Sequence, residues 1–399
     1  MAGHTPHNLH VGKFEASQKM KTLAFALIAI GVLTFVVGLM KNQERMWPAY
    51  LIAFFYFACL GVAGLVWSAL QNIAKAGWSV SIRRYAEATT SFIPATIIGA
   101  LVLAAGFKYL YPWADPEVVA SSKLIASKTG YLNTGFTVVR LLAYTIMTLI
   151  FAKLIVGNSL KQDANGDESY THKNVGLSIA FILIFALLFT LFSMDLLMSL
   201  LPTWYSTIFG IYGFAGLLQS FFAFFAIVII LMKRSGLVKG YVTEEHLHDV
   251  VKFEKGFTVF WAYIAFSQFM LIWYANIPEE TEYYIMRAQN GWMGVSIALL
   301  VFRFIVPFLA LLPRGAKRNE SHVLAVSVLI LIMQYVDIFW MVMPNFNHGH
   351  FTFGFWEVGM FAGFAGIFLL GLFNFWSKHG LVAQKDPRMH EALSHHVAY

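Results

Sequence analysis

Stretches of roughly twenty residues almost free of formal charge recur about ten times along this chain, and no other feature narrows the fold so far. At 1.5 Å per residue, a helix of that length crosses a hydrocarbon layer of about 30 Å. We place the runs near 23–40, 48–71, 89–112, 131–156, 174–193, 206–232, 256–277, 289–312, 321–343 and 355–376. In lipid every backbone N–H and C=O must be satisfied within the protein, so each run reads as an α-helix. Of the 399 residues, 58% are hydrophobic and only 12% charged; a soluble domain averages about 25% charged. The expected fold is an all-α polytopic membrane protein of about ten transmembrane helices. A single transmembrane domain spans 23–377, between terminal tails at 1–22 and 378–399. Spans two to five (about 48–193) and six to nine (about 206–343) form two four-helix bundles in this reading, with peripheral helices at 23–40 and 355–376.

A formal charge of +7 would suit nucleic acid only if the basic residues formed one patch. Here they alternate between loops, so no nucleic-acid partner is expected; lipid is. The tails and the loops after even-numbered spans hold about nineteen Lys and Arg, against about five in the opposite set. That bias predicts cytoplasmic N- and C-termini. The single cysteine, Cys59, excludes an intrachain disulfide, a CxxCH haem attachment and a cysteine-ligated cluster. The apolar run 23–40 is too long for the core of a cleavable signal.

Polar groups at membrane depth are few, and each is a candidate for function. Arg140 and Arg303 lie on spans four and eight. Gln334 and Asp337 are three apart on span nine and share a face. Gln219 is placed near the middle of span six and Gln268 near the middle of span seven, with Asp195 and Glu357 near outer ends. These acids all fall in the outer half. One account is interhelical pairing, Asp337 with Arg303 or Glu357 with Arg140, that only fixes packing. The other is a proton path, since an acid at reduced dielectric trades protons near neutral pH unless a cation offsets it.

Around span seven, the stretch 244–284 carries titratable groups at both mouths. His246, His248 and Asp249 mark the cytoplasmic end, and Glu279, Glu280 and Glu282 the outer one. The segment 193–205 reads as a short helix at the outer interface, stopped by Pro202. The histidines of the tails (His4, His7, His10, His390, His395, His396) read as solvated and mobile. No histidine falls mid-span, so no haem or metal site is expected in this chain, and no nucleotide-binding or triad pattern marks a soluble catalytic site.

Two segments resemble a known family. One is Asp195-x-x-Met198-Ser199-Leu200-x-Pro202-x-Trp204-x-Ser206-Thr207-x-Phe209. The other joins His246-x-His248-Asp249 to Phe260-Trp261-x-Tyr263-x-x-Phe266-Ser267-Gln268 and Trp273-Tyr274-x-Asn276-x-Pro278-Glu279-Glu280. They are similar to the NrfD-like, polysulfide-reductase membrane subunits, and among these to the F subunits of bacterial alternative complex III, a quinol:cytochrome c (or oxidase) oxidoreductase. The resemblance implies a bacterial inner membrane and a chain that is not catalytic alone. It implies partners: a homologous C subunit, an iron–sulfur subunit, c-type cytochrome subunits and a terminal oxidase. Haem c and iron–sulfur clusters belong to those partners, and menaquinol or another quinol is the substrate of the complex. It makes Asp195, Gln268, Asp337 and Glu357 proton-path candidates, Arg140 and Arg303 their charge partners, and His246, His248 and Asp249 the cytoplasmic mouth; Gln219 and Gln334 join the proton-path candidates as polar groups at membrane depth. A quinone site in this chain is the less favoured alternative. Two rivals stand: a secondary transporter, for which Pro94 and Pro307 are the only helix interruptions, and a purely structural subunit.

Overall fold

The computed structural model describes residues 9–346 and 349–396. Among these, ten helices are long and apolar enough to cross a membrane. They are α1 Gln18–Lys41, α2 Gln43–Ile73, α3 Arg83–Ala104, α4 Thr134–Asn165, α5 Ser169–Leu200, α6 Phe209–Arg234, α7 Glu244–Ala275, α8 Trp292–Ala310, α9 Glu320–Asn345 and α10 Phe355–Lys378. The protein is an all-α polytopic membrane protein. Of the tail histidines, His4 and His7 lie outside the described residues.

Contacts sort the helices into groups. In the first, α2 packs on α3 and α5, and α4 on α3 and α5. In the second, α6 packs on α7 and α9, and α8 on α7 and α9. The two groups meet where α5 touches α6 and α2 touches α9. Outside them, α1 lies along α10, and α10 in turn covers α2. The whole apolar window of α2 is buried, whereas α8 buries 17% of its own. Lipid supplies no hydrophobic drive between helices, so α1 holds α10 through close packing of small residues. A Cβ added at Gly31 would stand 2.2 Å from the Gly363 Cα, so no larger residue fits that crossing without separating the helices.

Both ends of the described chain lie on one face. His10 N donates to Lys239 O (3.0 Å) and Gly12 N to Leu237 O (2.7 Å), while His395 Nε2 stands 2.6 Å from Asp249 Oδ2. We call this the terminal face and its opposite the far face.

Four expectations need correction. The helix of span seven starts at Glu244, twelve residues before the apolar run (256 − 244). Thr243 closes a capping box with His246, and Glu244 and Glu245 suit the positive end of the helix dipole, so charge at 244–255 did not keep the segment out of the helix. Span three runs over 83–104 rather than 89–112, and carries Arg83, Arg84 and Glu87 inside the fold. The segment 193–205 is not an interfacial helix: α5 continues through it to a 3₁₀ turn, Met198–Leu200, and Leu196, Leu197 and Leu200 are buried in protein. The tail after α10 packs against the fold, with Leu381, Val382, Ala383, Asp386, Met389 and Ala392 buried and His395 partly so, while His390 and His396 are exposed as expected.

Candidate functional site

The second helix group converges on one guanidinium. Arg303 is fully buried in a π-helical stretch of α8, Leu299–Ile305. Such bulges redirect a side chain that a regular helix would point elsewhere. Gly216 on α6 leaves the room: a Cβ there would lie 3.1 Å from Arg303 Nη2. Arg303 Nη1 is 2.6 Å from Asp337 Oδ2, Nε donates to Gln219 Oε1 at 3.0 Å, and Nη2 donates to Gln334 Oε1. The Trp261 ring stacks on its cationic carbon at 4.2 Å. Tyr212 donates its hydroxyl proton to the other oxygen of Asp337. Thus Gln219, Gln334, Asp337 and Arg303, four of the expected residues, form one cluster, and the Asp337–Arg303 pairing is as expected.

From this cluster a polar seam runs toward the terminal face. Gln219 Nε2 donates to Thr258 Oγ1 at 3.1 Å. One turn back along α7, Glu254 is wholly buried; it accepts from Ser327 Oγ at 2.9 Å, and its Oε2 has no hydrogen-bond partner in the protein. Glu254 was not anticipated; it is a buried acid on the terminal-face side of the cluster. Its signal is the stripe His246, Val250, Glu254, Thr258 and Trp261, spaced by three and four, which lies on the buried face of α7. Lys252 and Lys255 masked that stripe because they point outward from the same turns.

The other expected residues lie apart from the cluster. Gln268 is near the far end of α7, not its middle, because the helix starts so early; it accepts from Ser206 Oγ at 3.4 Å and donates to Tyr284 at 3.2 Å. Asp195 makes a two-point contact with Arg140 at 2.7 and 2.9 Å, joining α5 to α4. Glu357 pairs with Arg45 at 3.2 and 3.3 Å, so the anticipated Glu357–Arg140 contact does not exist. The reason is local: Glu357 turns back to accept from Gly354 N at the start of α10, beside the start of α2. His246 and His248 are buried beside Asp249, whose carboxylate contacts Lys252 (2.8 Å) and His395 (2.6 Å). That mouth is covered by the tail.

A second buried ionic group was missed. Arg84, with no exposed surface, donates to Glu87, Ser159 and Asp163 and ties α3 to α4. Arg83 reaches Glu87 (3.2 Å) and Asp386 of the tail (2.7 Å). Burial works against the ionised form of Asp386, but Arg83 and Arg388 outweigh it and hold its carboxyl at about 2. Because that value is depressed, this contribution to tail docking is complete above the ordinary carboxylate range near 4 and is lost as pH falls through about 2. Asp386→Asn removes it at neutral pH. Limited trypsin digestion at pH 7 is then expected to cut at Lys385 and Arg388, which the parent protein resists; equal resistance in both would disprove the anchor.

Between α7 and α8 lies a cavity of about 590 Å³ lined by Trp261, Phe266, Phe269, Leu300, Phe304 and Trp340. Arg287 also lines it and donates to the carbonyls of Tyr283, Trp340 and Met341, the last two in the last turns of α9. Among the described residues, no three His, Cys, Asp or Glu side chains gather as ligands for a metal ion.

A scan against known protein families returned no match. A search of curated proteins returned none either.

Proposed function

We propose that this chain is a cofactor-free membrane subunit of a bacterial quinol:cytochrome c (or oxidase) oxidoreductase of the alternative complex III kind, and that its second helix group moves protons. The terminal face is then cytoplasmic, as the distribution of Lys and Arg favours. The two motif segments support the family reading. The observation that carries the proton reading is the set of buried polar groups between Glu254 and Asp337: Ser327 donates to the Glu254 carboxylate, Thr258 donates to the Glu254 main-chain carbonyl and accepts from Gln219, and Gln219 accepts from Arg303, which pairs with Asp337 beside Tyr212. Ionisable groups inside a membrane are costly, and two acids held at different depths on one face of a bundle are what stepwise proton transfer requires. Redox centres and the quinol site belong to the partner subunits in this reading.

The test is proton release per quinol oxidised by the assembled complex in vesicles. Glu254→Gln keeps shape and the hydrogen bond from Ser327 but removes the titration; Asp337→Asn keeps shape and removes the titration, while leaving Arg303 without its counter-charge. Each is expected to lower the stoichiometry while leaving subunit composition intact. Unchanged stoichiometry in both variants would remove the proton role. One observation favours the plain scaffold instead: Asp337 is already closed by Arg303 at 2.6 Å, so it holds a partner without exchanging protons. Unchanged stoichiometry is what that second reading predicts.

A further inference from the structure

The packed tail does more than end the chain. Its root and its tip are held differently. At the root, Asp386 is 4% exposed; it meets Arg83 at 2.7 Å and Arg388 at 3.3 Å, and accepts from Arg388 N at 2.9 Å. Beyond it, the turn Met389–Leu393 lies on the stretch Gly77–Ser79, with Met389 and Ala392 buried. Gly77 makes the space, since a Cβ there would lie 2.2 Å from Glu391 Oε2. The tip is His395. Its ring stands 5.7 Å from that of Trp78 and 5.5 Å from that of His246, and Nε2 is 2.6 Å from Asp249.

What lies beneath the tip is unsatisfied. His246, fully enclosed beneath the tip, has no hydrogen-bond partner for its Nε2, and neither ring nitrogen of His248, on another side of α7, has one. One turn deeper than His246 is Val250, fully buried, and one turn deeper again is Glu254 with its open oxygen. Buried polar atoms without partners bear a desolvation cost that entering water relieves. Lifting the tip therefore gains hydration below it. It also strands no charge, because Lys252 already sits 2.8 Å from Asp249 and remains when His395 leaves. Lifting the root would take Asp386 from the buried Arg83 and leave Glu87, already shared with Arg84, as its carboxylate partner.

We propose that residues 389–396 form a lid hinged at Asp386, shut by His395 on Asp249, over the terminal-face approach to Glu254. Open, the lid admits water to His246, with Val250 the last apolar step before the acid. Closed, it seals that approach. Its use as a gate rests on the proton reading above, but its opening does not.

The lid is tested by access to Val250. Cys59→Ala removes the one native thiol, and Val250→Cys on that background places a single thiol under the lid. Its rate of reaction with a charged, water-soluble methanethiosulfonate reports opening, since labelling tracks the open population when closing is fast. Deleting 389–399 is expected to raise that rate about tenfold or more, and His395→Ala to raise it severalfold. Hydrogen exchange over 244–254 should quicken in the same two variants on the native Val250 background, with α2 unchanged. His395→Ala removes one side chain and keeps the rest of the tail, so it serves if the deletion impairs folding. Equal labelling rates with and without the lid, or no labelling in either, would overturn the proposal. If labelling quickens while Asp337→Asn leaves proton release unchanged, the lid stands and the proton reading falls. If labelling does not respond while proton release does, the reverse holds.

Discussion

Arg303→Met is expected to cost about 3–5 kcal/mol, because it leaves Asp337 charged, fully enclosed and without its cation. Gln219 and Gln334 lose their common donor in the same step. The double variant Arg303→Met with Asp337→Leu is expected to recover most of that loss, since a buried pair replaced by well-packed apolar groups is often neutral. Thermal melting of the purified protein in detergent, followed by the fluorescence of Trp261 and its neighbours, gives the comparison. A single variant as stable as the parent would show that water reaches Asp337, and that the cluster is not sealed as described. A double variant as weak as the single one would mean that the loss comes from packing around the guanidinium, not from the orphaned charge.

Arg84→Met is expected to have an effect of similar size, about 3–5 kcal/mol, in the first helix group. Four acceptor atoms on three residues of two helices converge on this one side chain: one from Glu87 on α3, and two from Ser159 and one from Asp163 on α4. Glu87 keeps Arg83 at 3.2 Å, but Asp163, at the end of α4, loses its guanidinium partner. Faster hydrogen exchange at 83–90 and 156–165, with α6 to α9 protected as before, would locate the damage. Exchange rising evenly through the whole protein would contradict a local tie between α3 and α4.

The number and rough placement of the helices were legible because a bilayer leaves the sequence little choice. A charge-free run of the right length must be helical, and its ends are marked by Lys and Arg. What lay beyond those marks was not. The helix of α7 extends twelve residues past its apolar run (256 − 244), and the buried Glu254 sits in that extension. Hydropathy counts Lys252, Glu254 and Lys255 alike, although only the glutamate turns inward. The Asp337–Arg303 contact was readable because only a few ionisable groups sit at that depth. The partner of Glu357 was not: Arg45 reads as a loop cation, and nothing in the linear order places the start of α2 beside the start of α10. The tail was misread for the same reason. Its anchor, Arg83, looks like an ordinary basic loop residue until α3 is seen to begin there.

The enclosure of α2 has a consequence for how the chain is made. This helix leaves the ribosome before α5, α9 and α10, yet these supply much of its wall. Between them, Phe54, Phe55, Phe57 and Trp67 must face acyl chains or a chaperone while some three hundred further residues are synthesised at about 5–20 per second. Closure over α2 is therefore a late event. A chain arrested before α10 should insert correctly and still present an unfinished seam to quality-control proteases.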